Sequence, residues 1–241
     1  REAVKRGQWE PEGGMWVEAD CNISGGEALA RQFLYGQRFF MEEFGKRCRV
    51  LWLPDVFGYS AALPQLMKLC GIDYFMTTKI SWNEYNKMPY DTFSWKGIDG
   101  TSVLTHFSPP RDYFSTNIGH GHHRHHDHYT TYTSIMNPSE IAGGWKRFMQ
   151  KGLDEHFLVL YGYGDGGGGP TDGMIERARR MSVPMPLTPV VKQEFARPFF
   201  EKLDERVGND PNLPVWSGEL YLEFHRGTYT SQAKIKKNNR K

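Results

Sequence analysis

Asp55, Lys79, Asp165 and His225 each stand just beyond a short apolar run, where α/β enzymes place reactive groups. Asp20 holds a similar place. Asp55 is the clearest of them. Residues 49–53 read as a strand that Pro54 must end, because proline cannot donate to a sheet ladder. Gly58 then lets the backbone turn, and residues 61–70 read as a helix. Aspartate also serves as a turn residue or a helix N-cap, so position alone leaves both readings open. His225, at the end of the alternating run 219–224, is open in the same way. Taken together, several carboxylates with aromatics and one histidine suggest sugar chemistry. A retaining glycosidase needs two carboxyl groups about 5–5.5 Å apart, one as nucleophile and one as acid and base. Phe57, Trp82 and Tyr113 offer flat faces against which a sugar ring can pack. Asp55 and His225 carry oxygen and nitrogen donors ordinary for zinc, although two ligands are too few for a tight site.

The positioning elements follow from punctuation and period. Residues 15–19 read as a strand after Gly13 and Gly14, with the polar cluster Asp20, Cys21 and Asn22 beyond it. Ser24 and Glu27 have the spacing of a capping box. Residues 28–44 then read as a helix with Leu29, Phe33, Leu34, Phe40 and Phe44 roughly on one face, ended by Gly45. Residues 72–77 form the next expected strand, with Lys79, Trp82 and Asn83 just past it. Residues 92–95 and 102–107 can pair across the Asp99-Gly100 turn. Helices are expected at 141–151, at 172–181 and at 190–207, the last interrupted by Pro198. A strand is expected at 157–161 and another at 219–224. The glycine-rich loop 162–171 lacks the Gly-Lys-Ser/Thr of a phosphate loop and fits the dinucleotide fingerprint poorly. So many glycines imply a backbone pressed against a ligand or bent through positive φ. Alternating strands and helices give an α/β fold. In a βα barrel the loops after 19, 53, 77, 161 and 224 would meet at one end and gather the five polar residues.

Composition narrows the rest. The chain has 241 residues, with 39% hydrophobic and 14% aromatic, enough for a real core. A net charge of +2 gives no field to attract nucleic acid or an acidic membrane, and no apolar run reaches spanning length. Three separated cysteines form no CxxC pattern and fit a reducing compartment. Six of the nine histidines crowd residues 120–128, which read as a low-complexity loop able to bind metal adventitiously. The first residues lack the form of a signal peptide and read like the middle of a helix; the basic tail 234–241 reads like a helix cut short.

Five motifs resemble those of the glycoside hydrolase family 38 α-mannosidases, in its cytosolic, vacuolar and bacterial branch. They are Gly13 through Glu18, Trp52 through Gln65, Thr78 through Asn83, Gly164 through Thr171, and Gly218 through Thr230, in that order. The resemblance spans the chain except for about residues 115–140. It implies a partial (β/α)7-type barrel: residues 1–232 as the catalytic domain without its first strand, and 233–241 as the start of a helical domain. It implies an exo-acting, retaining α-mannosidase that works on oligomannose or free N-glycan-derived oligosaccharides through a covalent mannosyl-aspartate. By this resemblance Asp55 is the nucleophile and, with His225, a ligand of zinc or cobalt. Phe57 lines the mannose site, Tyr113, Lys79 and Trp82 lie on the substrate side, and Asp165 is the acid/base. The branch implies a cytoplasmic location, with the vacuole or lysosome as the alternative. It leaves room for a homo-oligomer formed through C-terminal domains. The family's remaining metal ligands come from a His-x-Asp motif on the first strand, which this sequence lacks. The alternative expectation is therefore an inactive fragment or pseudoenzyme.

Overall fold

The computed structural model describes residues 1–110, 130–186, 188–229 and 233–239. A short α1 (Glu2–Lys5) leads to α2 (Gly26–Phe44), β1 (Val50–Trp52), β2 (Gly58–Tyr59), α3 (Leu63–Leu69) and β3 (Tyr74–Thr77). After a 3-10 turn at Lys79–Trp82 come β4 (Thr92–Lys96), β5 (Ser102–Phe107), α4 (Pro138–Arg147), α5 (Asp172–Arg180) and α6 (Ala196–Val207). The chain then forms β6 (Val215–Ser217), β7 (Leu220–Tyr221), a 3-10 stretch at Glu223–Tyr229 and α7 (Ala233–Asn239).

Five strands make one sheet in the order β1-β3-β5-β4-β6. β1, β3 and β5 run parallel, β4 turns back antiparallel to β5, and β6 lies parallel to β4. β2 and β7 pair separately. The α/β expectation holds in this form, a mostly parallel sheet packed by helices. The described strands form an open sheet rather than a ring.

Side chains that alternate along the strands divide between two cores. Leu51 and Phe75 face α2 and α3, packing with Leu29, Phe33, Leu63 and Met67. Val50, Tyr74, Met76 and Leu104 face α6 and pack with Phe199, Phe200, Leu203 and Val207. β3 is buried along its whole length, as a central parallel strand should be. The Asp99-Gly100 hairpin forms as expected: Gly100 adopts φ +88° and Asp99 accepts from the Thr101 amide.

Several local expectations are revised. Residues 15–19 do not form a strand. Only Gly13 bridges to Leu51, while the amides of Trp16 and Val17 donate to the backbone and side-chain oxygens of Gln32 on α2. Helix α2 begins at Gly26 with Gly25 as its cap, so Ser24 makes no capping box. Its buried face is Leu29, Phe33, Gly36 and Gln37, whereas Leu34 is exposed. A capping box forms instead at α4, between Asn137 and Glu140. Pro198 sits in the first turn of α6, where a missing amide costs little, and does not interrupt it. Residues 157–161 keep strand alternation, with Leu158 and Leu160 in one cluster and Phe157, Val159 and Tyr161 in another. They have a single bridge, Ser134 to Tyr161, and the Leu158 amide donates to His106 Nε2 instead of to a strand. The expected strand 219–224 shrinks to β7 and passes into the 3-10 stretch that carries His225.

Candidate active site

The ends of β1 and β3 are tied together, and the tie sets the centre of the site. Pro54, which ends β1, offers its carbonyl to both the amide and the hydroxyl of Thr78. Asp55 and Lys79 follow these two residues and so emerge side by side, with Lys79 Nζ 2.9 Å from Asp55 Oδ1. The contact is one of charge rather than of aligned hydrogen bonding, for the buried Oδ1 has no hydrogen-bond partner among the described residues. Lys79 is nearly enclosed, and its ammonium also lies 3.4 Å from the centre of the Trp82 ring. Behind Asp55, its amide donates to Glu18 Oε1 at 3.1 Å. Burial raises the Glu18 carboxyl above its usual range, the charges of Asp55 and Asp165 push the same way, and the Asp55 amide opposes them.

A second tie brings in residues 220–225. β2 pairs with β7, and the Leu222 amide donates to Phe57 carbonyl. Phe57 therefore meets His225, with ring centroids 4.4 Å apart, and Trp82 stands 6.4 Å from the same imidazole. Burial, and then the Lys79 charge, hold the His225 imidazole below its ordinary pKa, against the pull of Asp55. Glu223 fixes the neighbouring loop by accepting from the amides of Glu84 and Tyr85.

The third tie reaches Asp165. The Trp82 indole donates to Thr130 carbonyl, and Ser81 and Thr130 share a hydroxyl contact at 2.5 Å. Tyr132 is thereby set beside the Lys79 turn, and its hydroxyl donates to Asp165 Oδ1 at 3.1 Å. Burial raises the phenol far above its usual pKa. The Asp55 charge, the hydrogen bond to Asp165 and the Asp165 charge act in the same direction. Asp165 itself has φ +51°, uncommon for a residue with a side chain. The glycine-rich loop is a folded hairpin, not a linker: Tyr163 and Gly169 exchange two 2.8 Å backbone hydrogen bonds. A Cβ at Gly162 would come within 2.7 Å of Pro170 N, so glycine is required where the hairpin closes. Thr171 then caps α5.

Of the residues singled out from sequence, Asp55, Lys79, Trp82, Phe57, His225 and Asp165 gather through these three ties. Asp20 does not join them as a reactive group; its carboxylate accepts from the Asn22 and Ile23 amides in its own turn. Tyr113 and the histidine tract 120–128 lie outside the described residues. Sequence reasoning passed over Glu18 and Tyr132. Glu18 lies within a motif quoted above, and its glutamate in an otherwise apolar run was the available signal. Tyr132 had none, as it sits in a Tyr/Thr run without pattern.

Asp55 and a neutral His225 are apt donors for zinc or cobalt. Yet among the described residues no set of three or more His, Cys, Asp or Glu side chains is arranged to hold an ion. Lys79 already meets the Asp55 charge. The described residues by themselves do not fit a resident metal. Nor, among them, is any helix long and apolar enough to cross a membrane.

The site thus sets Asp55, at the end of β1, and Asp165, on the glycine-rich hairpin, among Phe57, Trp82 and Tyr132. α-Mannosidase G of Dictyostelium discoideum is 47% identical over 244 residues, which take in 100% of this chain and 20% of that protein. α-Mannosidase 2C1 of Homo sapiens is 45% identical over 240 residues, 100% of this chain and 21% of its own. The chain thus spans about a fifth of the length of these curated relatives. Among solved structures, an α-mannosidase from Enterococcus faecalis V583 superposes with a TM-score of 0.64 at 17% identity, covering 91% of this chain and 23% of that one. That likeness is one of fold. Residues 1–219 match the glycosyl hydrolases family 38 N-terminal domain, and the chain belongs to that family.

Proposed function

We propose that residues 1–241 are the catalytic part of a retaining, exo-acting α-mannosidase that removes terminal α-mannosyl residues from oligomannose or free N-glycan-derived oligosaccharides. The observation that carries this reading is the run of contacts from Asp55 to Asp165: Lys79 Nζ lies 2.9 Å from Asp55 and 5.7 Å from the centre of the Tyr132 ring, and the Tyr132 hydroxyl donates to Asp165. The names of the curated relatives support mannose as the sugar.

In the proposed reaction an Asp55 oxygen attacks the anomeric carbon as the bond from that carbon to the glycosidic oxygen breaks. Asp165 gives its proton to the departing oxygen, which leaves as an alcohol. Asp165, now a carboxylate, then takes a proton from water. The water oxygen displaces Asp55 from the anomeric carbon, and mannose departs with its original α configuration. Phe57 and Trp82 wall the sugar, and the Lys79 ammonium offsets the Asp55 charge before attack. Zinc or cobalt enters this proposal only through donors additional to Asp55 and His225, and no step above depends on one.

A non-catalytic, sugar-binding chain is the second reading, favoured by the incomplete donor set. One experiment separates the two. The protein that carries residues 1–241 is given 4-nitrophenyl α-mannoside and the first-formed anomer is followed by proton NMR. The α anomer is expected first, and Asp55→Asn is expected to abolish turnover. Absence of turnover in the parent protein favours the second reading. The β anomer first, or normal turnover by Asp55→Asn, overturns the catalytic assignment.

A further inference from the structure

We propose that Tyr132 is a positioning residue of this reaction, pinning one oxygen of Asp165 so that the proton passes through the other; the inference rests on the α-mannosidase reading above. A carboxylic acid delivers its proton from one oxygen, and that oxygen must be held within hydrogen-bond reach of the departing one. Asp165 is carried on a hairpin with glycines on both sides. Its backbone sits at φ +51°, a conformation that the surrounding structure must hold in place. The Tyr132 hydroxyl takes Oδ1 at 3.1 Å and leaves Oδ2 to hold and return the proton.

The origin of Tyr132 matters as much as its contact. It is placed from the nucleophile's side of the site, through Thr130, which the Trp82 indole and the Ser81 hydroxyl hold. The same 3-10 turn carries Lys79, 2.9 Å from Asp55. Tyr132 therefore sets the register between the loop that bears the acid and the strand ends that bear the nucleophile. A phenol has one proton to donate. While Asp55 carries charge, Lys79 meets it and the phenol serves Asp165.

The test compares leaving groups in the protein that carries residues 1–241. An alkyl α-mannoside depends on proton delivery, whereas 2,4-dinitrophenyl α-mannoside departs nearly unaided. Tyr132→Phe is expected to lower kcat/KM, which reports formation of the glycosyl-enzyme, on the alkyl mannoside about 10- to 100-fold, the range for a hydrogen bond to a charged group. On the dinitrophenyl mannoside the loss is expected to be about threefold or less. Adding Tyr132→Phe to Asp165→Ala should then cost nothing further, since the tyrosine acts through the aspartate. Equal losses on both substrates, or fully additive losses in the double variant, overturn the proposal. Tyr132→Gln keeps a donor of shorter reach and covers the case in which the phenylalanine variant fails to fold. It is expected to be slowed selectively on the alkyl mannoside, and a glutamine variant as fast as the parent on both substrates, or slowed equally on both, also overturns the proposal. Failure of the underlying reading has a different signature: Asp165→Ala shows no dependence on the leaving group and no rescue by azide.

Discussion

Replacing His106 by glutamine should change how stability depends on pH, by an amount the structure fixes. His106 lies on β5, fully buried, between Phe148, Phe199 and Phe200. Its Nδ1 pairs with Thr92 Oγ1 at 2.9 Å and its Nε2 accepts from the Leu158 amide at 3.1 Å. A ring with an accepting Nε2 is neutral, and burial holds its pKa down to about 3, against the raising influence of Asp154. In the unfolded chain the same histidine titrates near its ordinary value, about 6.5. Between the two values the unfolded state binds the extra proton, so stability falls as pH falls. From pH 7 to pH 5 the loss owed to His106 is about 2 kcal/mol. Asp91 works the other way. Burial raises its carboxyl to about 6 despite the Met149 amide, so the folded state takes up the proton first and gains about 1 kcal/mol over the same interval. Urea unfolding at pH 7, 6 and 5 tests both. His106→Gln is expected to be less stable than the parent at pH 7, with the gap narrowing by about 2 kcal/mol at pH 5. Asp91→Asn should lose stability about 1 kcal/mol faster than the parent over that range. Parallel profiles for the parent and His106→Gln would refute the argument, because the histidine would then not be the group that resists protonation.

Two further outcomes follow from packing and from the donor set. Gly36→Ala would place a Cβ 2.5 Å from the Gly14 carbonyl oxygen, backbone against backbone, so α2 must move away from residues 14–15. A loss of about 1–3 kcal/mol is expected in thermal or urea melts, and a neutral result would show that this contact is looser than described. After dialysis of residues 1–241 against zinc and then against buffer, the zinc lost in Asp55→Asn relative to the parent chain should be far less than one equivalent. A complete structural site is worth about 10–16 kcal/mol, and Asp55 with His225 supplies two donors. Stoichiometric zinc that disappears in Asp55→Asn would contradict the incomplete donor set.

The elements legible in sequence were those whose partners lie close along the chain. The hairpin of β4 and β5 announced itself through Asp99-Gly100, and α2 ended where Gly45 takes φ +68°. Parallel pairing is harder to read, since β1, β3 and β5 find one another across intervening segments. The expected strand at 15–19 shows why. Its apolar pattern is real, but the amides of Trp16 and Val17 are taken by Gln32, and no local signal marks which glutamine on a helix will reach back. Residues 157–161 are the converse case. They keep the alternation of a strand because two clusters draw on opposite faces, while a histidine and a serine on the β5 side, His106 and Ser108, occupy the backbone positions a ladder would use.

The same distinction runs through the site. Asp55, Lys79 and Asp165 could be found because each follows an apolar run, and strand ends in a parallel sheet converge. What converges them in detail is not periodic. The link from Asp55 to Lys79 is the Pro54 carbonyl received by Thr78, a backbone acceptor freed because the strand stops at a proline. The link to His225 is the pairing of the two-residue strands β2 and β7, too short to register as pattern. The link to Asp165 is a tyrosine in an irregular run, and its worth depends on a residue far from it in sequence. Glu18 belongs with these: its carboxylate accepts the Asp55 amide and so holds the backbone of the proposed nucleophile. The reactive groups are thus recognisable by type, whereas the groups that aim them are defined by contact alone. Substitutions at Tyr132 should on this account separate proton delivery from nucleophilic attack.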